Sequence, residues 1–169
     1  VYLRRSFDRM ILLSSSSRYK ETIEVGAPLV SNTRVAKETL WQQAGGELVV
    51  LVGIYGPNRC PIAWLKKGLI AKAKKQVNLI HLYDIAFCLE GLLKSPRITE
   101  SIFWDGQEHF WAEIEALALK ASLLPENFSR KEQEVKRIFK EIQHNESKKL
   151  IGNRAFQTFS DHIVREYSL

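Results

Sequence analysis

Three short stretches bring together residue types that handle protons and small polar ligands. Ser14, Ser15, Ser16 and Ser17 directly follow an apolar run at 10–13. Tyr55, Gly56 and Pro57 end the denser apolar run 48–55, and His81 and Asp84 close a third at 77–82. Hydroxyls, a phenol and an imidazole at the carboxyl ends of parallel strands could meet one ligand, because open α/β sheets bind in the crevice outside those ends. Singly, each has an ordinary structural role. A serine run makes a polar turn, Tyr-Gly-Pro is turn chemistry, and a lone histidine is more often a satisfied structural group than a catalyst. Their order along the chain is what raises them. Cys60 and Cys88 stand outside any CxxC arrangement, so neither a metal site nor a disulfide framework is indicated, and a reducing compartment is the default.

The elements that must position these groups follow from periodicity and punctuation. The Ile/Leu content of 10–13 suits a buried strand running into a polar loop, and 18–32, with Gly26 and Pro28, is an irregular connection. Asn32 or Thr33 caps a helix to about Gln43, with Val35, Leu40 and Trp41 partly on one face and Gly45-Gly46 as the stop. Residues 48–55 (LVVLVGIY) are apolar on both faces, as a central parallel strand requires. A helix over 61–74, weakened at Gly68, and a short strand over 77–82 follow. Asp84 then caps a helix that turns Ile85, Leu89, Leu92 and Leu93 inward and ends before Pro96. Residues 98–104 predict another strand. Asp105 and Glu108 have capping-box spacing ahead of Phe110, Ile114, Leu117, Ala118 and Ala121; Ser129 and Glu132 repeat it ahead of Val135, Ile138, Phe139 and Ile142. Buried strands alternating with amphipathic helices predict an α/β fold with a parallel sheet.

Composition narrows the class further. With 169 residues, 45% hydrophobic and 26% charged, the chain can bury one core and is neither disordered nor a disulfide scaffold. No apolar run approaches the ~18 residues of a membrane span. A net charge of +6 lies in the ordinary solubility range. The excess gathers at Lys66, Lys67, Lys72, Lys74 and Lys75 and over 130–149. Without interleaved aromatics or a nucleic-acid motif, solvated helix faces explain it better than nucleic-acid binding.

Four segments, in order, carry a resemblance: Leu13 to Tyr19 (LSSSSRY), Arg34 to Glu38 (RVAKE), Val52 to Arg59 (VGIYGPNR) and Asn78 to Ala86 (NLIHLYDIA). Together they resemble the second half of the extended short-chain dehydrogenase/reductase family, the NAD-dependent epimerase/dehydratase group, and its atypical members in particular. The resemblance covers roughly 8–125, and Ser147 to Asn153 (SKKLIGN) is similar to a segment near the family's end. It implies the C-terminal part of a Rossmann-like doubly wound parallel sheet plus a small α-rich substrate-type lobe. The expected division is 1–60 for the Rossmann-like part and 61–169 for the remaining strands and helical lobe.

The resemblance implies roles residue by residue. Ser15, with Ser16 close behind, takes the place of the family's catalytic Ser or Thr. Tyr55, Gly56 and Pro57 would approach the nicotinamide of NAD or NADP, and Ser16, Gly53 and His81 would line the substrate side. Asp84 is expected to be a helix cap and His81 structural. Lys37 or Arg34 takes the lysine position of the family's Tyr-x-x-x-Lys pair. The tyrosine position then falls on Thr33 or Val30, and neither can shuttle a proton as a phenol does. An Asn that sugar-nucleotide enzymes place two residues before the turn is replaced by Gly53, which speaks against sugar-nucleotide processing. No GxGxxG occurs anywhere in the chain, so the main dinucleotide grip is absent from it. Val1 to Asp8 resembles the tail of a helix leading from a missing first half.

Two functions follow as expectations. One is an atypical NAD(P)-dependent oxidoreductase or epimerase acting on a small hydroxylated substrate. The other is a non-catalytic structural or interaction subunit on a degenerate dehydrogenase scaffold. The expected partners are that substrate and either another protein or the missing N-terminal half, with neither nucleic acid nor membrane.

Overall fold

The computed structural model describes residues 8–20, 22–57, 59–67, 76–128, 150, 155–156 and 159–167. The expected helix tail at 1–8 (beyond residue 8 itself), the basic run through Lys72, Lys74 and Lys75, and the capping box and helix from 129 lie outside them, as does most of 147–153.

A three-stranded parallel sheet forms the centre, from β1 (Ile11–Ser15), β2 (Glu47–Leu51) and β6 (Glu100–Phe103) in the order β1-β2-β6. Register runs from Ile11 opposite Glu47 to Ser15 opposite Leu51, and from Leu48 opposite Glu100 to Leu51 opposite Phe103. The middle strand is the apolar one: Leu48, Val49 and Val50 are wholly buried. Each such side chain contributes roughly 1.5–3 kcal/mol of transfer free energy, which is why a strand apolar on both faces takes the central position. Between β1 and β2 runs α1 (Thr33–Gln43), whose N-cap is Asn32, its side chain accepting from the Val35 N–H. Val35 turns inward as expected, whereas Leu40 lies 64% exposed.

The expected single strand 48–55 is broken. Its second part, β3 (Gly53–Tyr55), leaves the central sheet at Val52 and pairs in parallel with β5 (Leu79–His81). At Gly53 a Cβ would collide with the Asn78 carbonyl oxygen, so only glycine lets the two backbones approach this closely. The expected parallel pairing is found in these two ladders, and beside them a short ladder, β4 (Gln76–Val77) against β7 (His109–Phe110), is antiparallel.

Helices cover these ladders: α2 (Pro61–Lys66), α3 (Leu82–Lys94), α4 (Trp111–Lys120) and α5 (Phe159–Tyr167). The strand β5 passes into α3 without a linker, so the N-cap is His81 and not Asp84. Asp84 instead lies buried in the first turn, where a carboxylate is favoured by the helix dipole. Leu93, expected inward, is 59% exposed. Asp105 does not open α4 either. Its carboxylate accepts from the Gln107 N–H and pairs with His109 at 2.6 Å, and the ladder β4–β7 holds 109–110 extended. The helix starts at Trp111, with Glu113 accepting from the Phe110 N–H.

Two apolar cores result. The first surrounds the central sheet and includes Tyr19, Ile23, Ile80, Ile85, Leu92 and Phe103. The second gathers Tyr55, Leu65, Leu79, Trp111, Ile114, Phe159 and Ile163. Residues on both sides of position 60 enter each core. At the amino end of the central sheet, the Arg9 guanidinium holds Glu47 through two bonds of 2.6 Å and also donates to the Ser95 carbonyl. Burial works to raise the Glu47 carboxyl, but Arg9, the Ile98 N–H and Arg97 together hold it below the usual carboxylate range.

Candidate functional site

The carboxyl end of β1 turns at once into a 3-10 turn, Ser16–Arg18, for which Ser15 is the N-cap. Ser15 Oγ accepts from both the backbone N–H of Ser17 (3.4 Å) and its hydroxyl (3.2 Å). The next two residues are wholly buried, Arg18 and Tyr19, and they draw the turn back onto the sheet.

The face of α1 that meets this turn carries Arg34 and Glu38. Ser14 Oγ donates to Glu38 Oε1 at 2.5 Å. Arg34 Nη2 donates to Ser17 Oγ at 3.0 Å, and its Nε lies 3.5 Å from the same Glu38 oxygen. The other Glu38 oxygen faces Arg18 Nε at 3.6 Å, and Arg18 Nη1 lies 3.5 Å from Glu100. Gln42 accepts from Arg18 and donates to Glu100, and the Tyr19 hydroxyl donates to Glu100. Burial first, and then the Glu100 carboxylate, push the Tyr19 phenol far up. Two arginines thus share one buried carboxylate, in a network that ties β1, α1 and β6 together.

Of the residues expected here, Ser15 and Arg34 are joined through Ser17, Ser16 opens the 3-10 turn between them in sequence, and Lys37 stands apart. Lys37 is exposed and takes no part in the hydrogen bonds and ion pairs of the cluster. Thr33 is exposed too. The sequence offered the serine run Ser14 to Ser17 whole but did not single out Arg18 and Glu38; the i,i+4 spacing of Arg34 and Glu38 was the available signal.

At the carboxyl ends of β3 and β5 stands a second group. The Tyr55 ring is wholly buried and meets His81, His162 and Phe159 edge-on at centroid distances of 5.0, 5.2 and 5.7 Å. His81 Nδ1 accepts from the Tyr83 N–H, so a neutral His81 carries its proton on Nε2, 3.2 Å from His162 Nδ1. Burial, then His162 and Arg165, push the His81 imidazole down to about 4. Burial, then Asp105 and Asp84, raise the Tyr55 phenol well above its ordinary value. Tyr55 and His81 are thus both buried among these rings. His162, on α5, was not singled out from the sequence. Gly56, with φ 157°, packs its Cα against Leu82, where a Cβ would come within 3.1 Å of that residue's Cβ, and Pro57 is half-buried beside it. Gly53 serves the β3–β5 approach described above.

A dinucleotide needs a run of backbone N–H groups opening a helix after a strand. The described glycines with positive φ, Gly26, Gly45, Gly56 and Gly106, are single turn residues, and none opens a helix directly after a strand. The described residues thus do not fit the phosphate end of NAD(P). Among them there is also no cluster of three or more metal-ligating side chains, and no helix long and apolar enough to cross a membrane.

No protein-family model matches the chain, and no curated protein is detectably similar to it in sequence. Solved structures are similar in fold. One is a functionally unknown conserved protein from Silicibacter pomeroyi DSS: 22% identity, TM-score 0.67, over 94% of this chain and 65% of that one. Another is dTDP-glucose 4,6-dehydratase from Bacillus anthracis str. Ames in complex with NAD: 12% identity, TM-score 0.67, over 95% and 60%. A third is UDP-N-acetylglucosamine 4-epimerase from Methanobrevibacter ruminantium M1 in complex with UDP-N-acetylmuramic acid: 11% identity, TM-score 0.69, over 94% and 61%. The chain spans 60–65% of the length of these structures. Over the matched spans it therefore shares the Rossmann-like α/β fold of these structures.

Proposed function

We propose that this chain is the serine-bearing part of an NAD(P)-binding protein of the epimerase/dehydratase type that works without a Tyr-Lys acid/base pair. The observation that carries the reading is what faces the serine run. Glu38 and Arg34 bond to Ser14 and Ser17, and Thr33 and Lys37 point to solvent instead. Nucleotide affinity rests on a Gly-rich phosphate loop outside this sequence, supplied by a further Rossmann half.

The test is a fluorescence titration of the 169-residue chain with NADH and NADPH, alone and joined to a Rossmann half that carries a GxGxxG turn. Saturable binding only in the joined form is the expected result. Micromolar binding by the chain alone overturns the claim that it lacks the grip, and no binding in either form overturns the cofactor assignment. The second reading, a structural or interaction subunit, is favoured by the burial of Arg18, Glu38 and Tyr19 in one network. Nucleotide binding by the joined form without turnover of any hydroxylated substrate would match it.

A further inference from the structure

We infer that Arg34 and Ser15 form an oxyanion anchor, and that the ligand of the serine turn is a small hydroxylated molecule bearing a carboxylate. The inference deepens the preceding reading by naming its substrate class, and rests on it. It comes from counting donors and acceptors. Ser17 Oγ accepts from Arg34 Nη2 and gives its proton to Ser15 Oγ. Ser15 Oγ also accepts from the Ser17 N–H, so both its acceptor positions are used and its own O–H is left to donate outward.

Arg34 has five N–H donors in a planar fork. One is on Ser17 and the Nε lies beside Glu38, which leaves three without a described protein partner. The side chain is 44% exposed, so these donors reach solvent. The half-buried hydroxyl and the exposed fork, linked through Ser17, present only donors. A neutral sugar hydroxyl needs an acceptor as well as a donor; a carboxylate needs donors alone, and a planar fork matches its two oxygens.

The guanidinium is also held in place. Glu38 is 3% exposed and is itself fixed by Ser14 and Arg18, so the rotamer entropy lost on binding is partly lost already on folding. Within the cluster Arg18 and Arg34 balance Glu38 and Glu100, so the exposed fork of Arg34, and not a net charge, is what a carboxylate would meet. An arginine that only decorated a helix face would need no such buried support.

The experiment is an amide chemical-shift titration of the full chain with D-gluconate, D-glucose and inorganic phosphate in turn. D-gluconate is expected to shift Ser15, Ser16, Ser17 and Arg34 saturably, and D-glucose to leave them unmoved. Arg34→Met is expected to weaken gluconate at least tenfold. Arg34→Lys, which keeps the charge and loses the fork, is expected to fall between, and it carries the test if the first variant does not fold. Equal gluconate affinity in wild type and variants overturns the anchor. Glucose binding as tight as gluconate overturns the requirement for charge, and phosphate binding as tight overturns the preference for a carboxylate. No nucleotide enters this titration, so its failure is separable from failure of the cofactor reading.

Discussion

Glu38 on α1 accepts a 2.5 Å hydrogen bond from Ser14 on β1, at the point where the strand gives way to the serine turn. The bond fixes the carboxylate between Arg18 and Arg34, so one side chain both buries a cation and aims another at the turn. Its removal has two separable consequences.

Glu38→Ala leaves the buried Arg18 with Glu100 as its one charged partner among the described residues. Stripping one partner from a buried ion pair costs about 3–5 kcal/mol. Ser14→Ala removes one charge-assisted hydrogen bond, for about 1.5–3 kcal/mol. Urea unfolding of the two variants should rank them in that order. Equal midpoints would mean that Arg18 does not depend on Glu38.

Gly53→Ala should pry β3 from β5, because the new Cβ meets the Asn78 carbonyl oxygen and backbone cannot move aside as a flexible side chain can. A destabilisation of about 1–3 kcal/mol is expected, as for overpacking elsewhere. Amide exchange at Leu79 and Ile80 should speed up more than at Val49. Uniform acceleration would place the strain elsewhere.

Stability should fall as pH drops from about 6.5 toward 4. Folded His81 is held near 4 while the unfolded imidazole titrates near its ordinary value of ~6.5, so in this window the unfolded chain binds the extra proton. Above the window the neutral His81–His162 contact contributes in full; below it the loss levels off. Glu47, held low in the folded state, adds its own loss below the ordinary carboxylate range. Denaturation midpoints at successive pH values should show the first loss in wild type and a flatter profile in His81→Asn. An unchanged profile in the variant would exonerate His81.

Tyr19 and Tyr55 should ionise only as the chain unfolds in alkali, since burial raises both phenols far above their ordinary value. Near-ultraviolet phenolate absorbance followed together with circular dichroism tests this. Full phenolate formation before loss of structure would show that one of the rings is open to water.

The α/β class and the central strand were legible because burial on both faces leaves a local signature: 48–51 is apolar at every position. The helix 33–43 was legible from its cap and its glycine stop. The break at Val52 was not, because residues 48–55 are equally apolar on either side of it, and only the partner strand decides which sheet each part joins. The cap of α3 was misplaced for a related reason. Asp84 is a good cap by type, but β5 runs straight into the helix and leaves that position to His81.

The site divides in the same way. Ser15, Ser16 and Arg34 were visible as residue types in order, and the absence of a tyrosine at 30 or 33 and of a phosphate loop is a property of the sequence alone. Which of Arg34 and Lys37 meets the serines depends on the angle at which α1 lies on β1. Which residues pair with Arg18 depends on β6, and the contact of His81 with His162 spans 81 positions. Short-range periodicity records only which face of an element is buried. What that face touches is set by packing between distant segments, and there the carboxylate of Glu38, unremarkable in sequence, acquired two arginines and a serine.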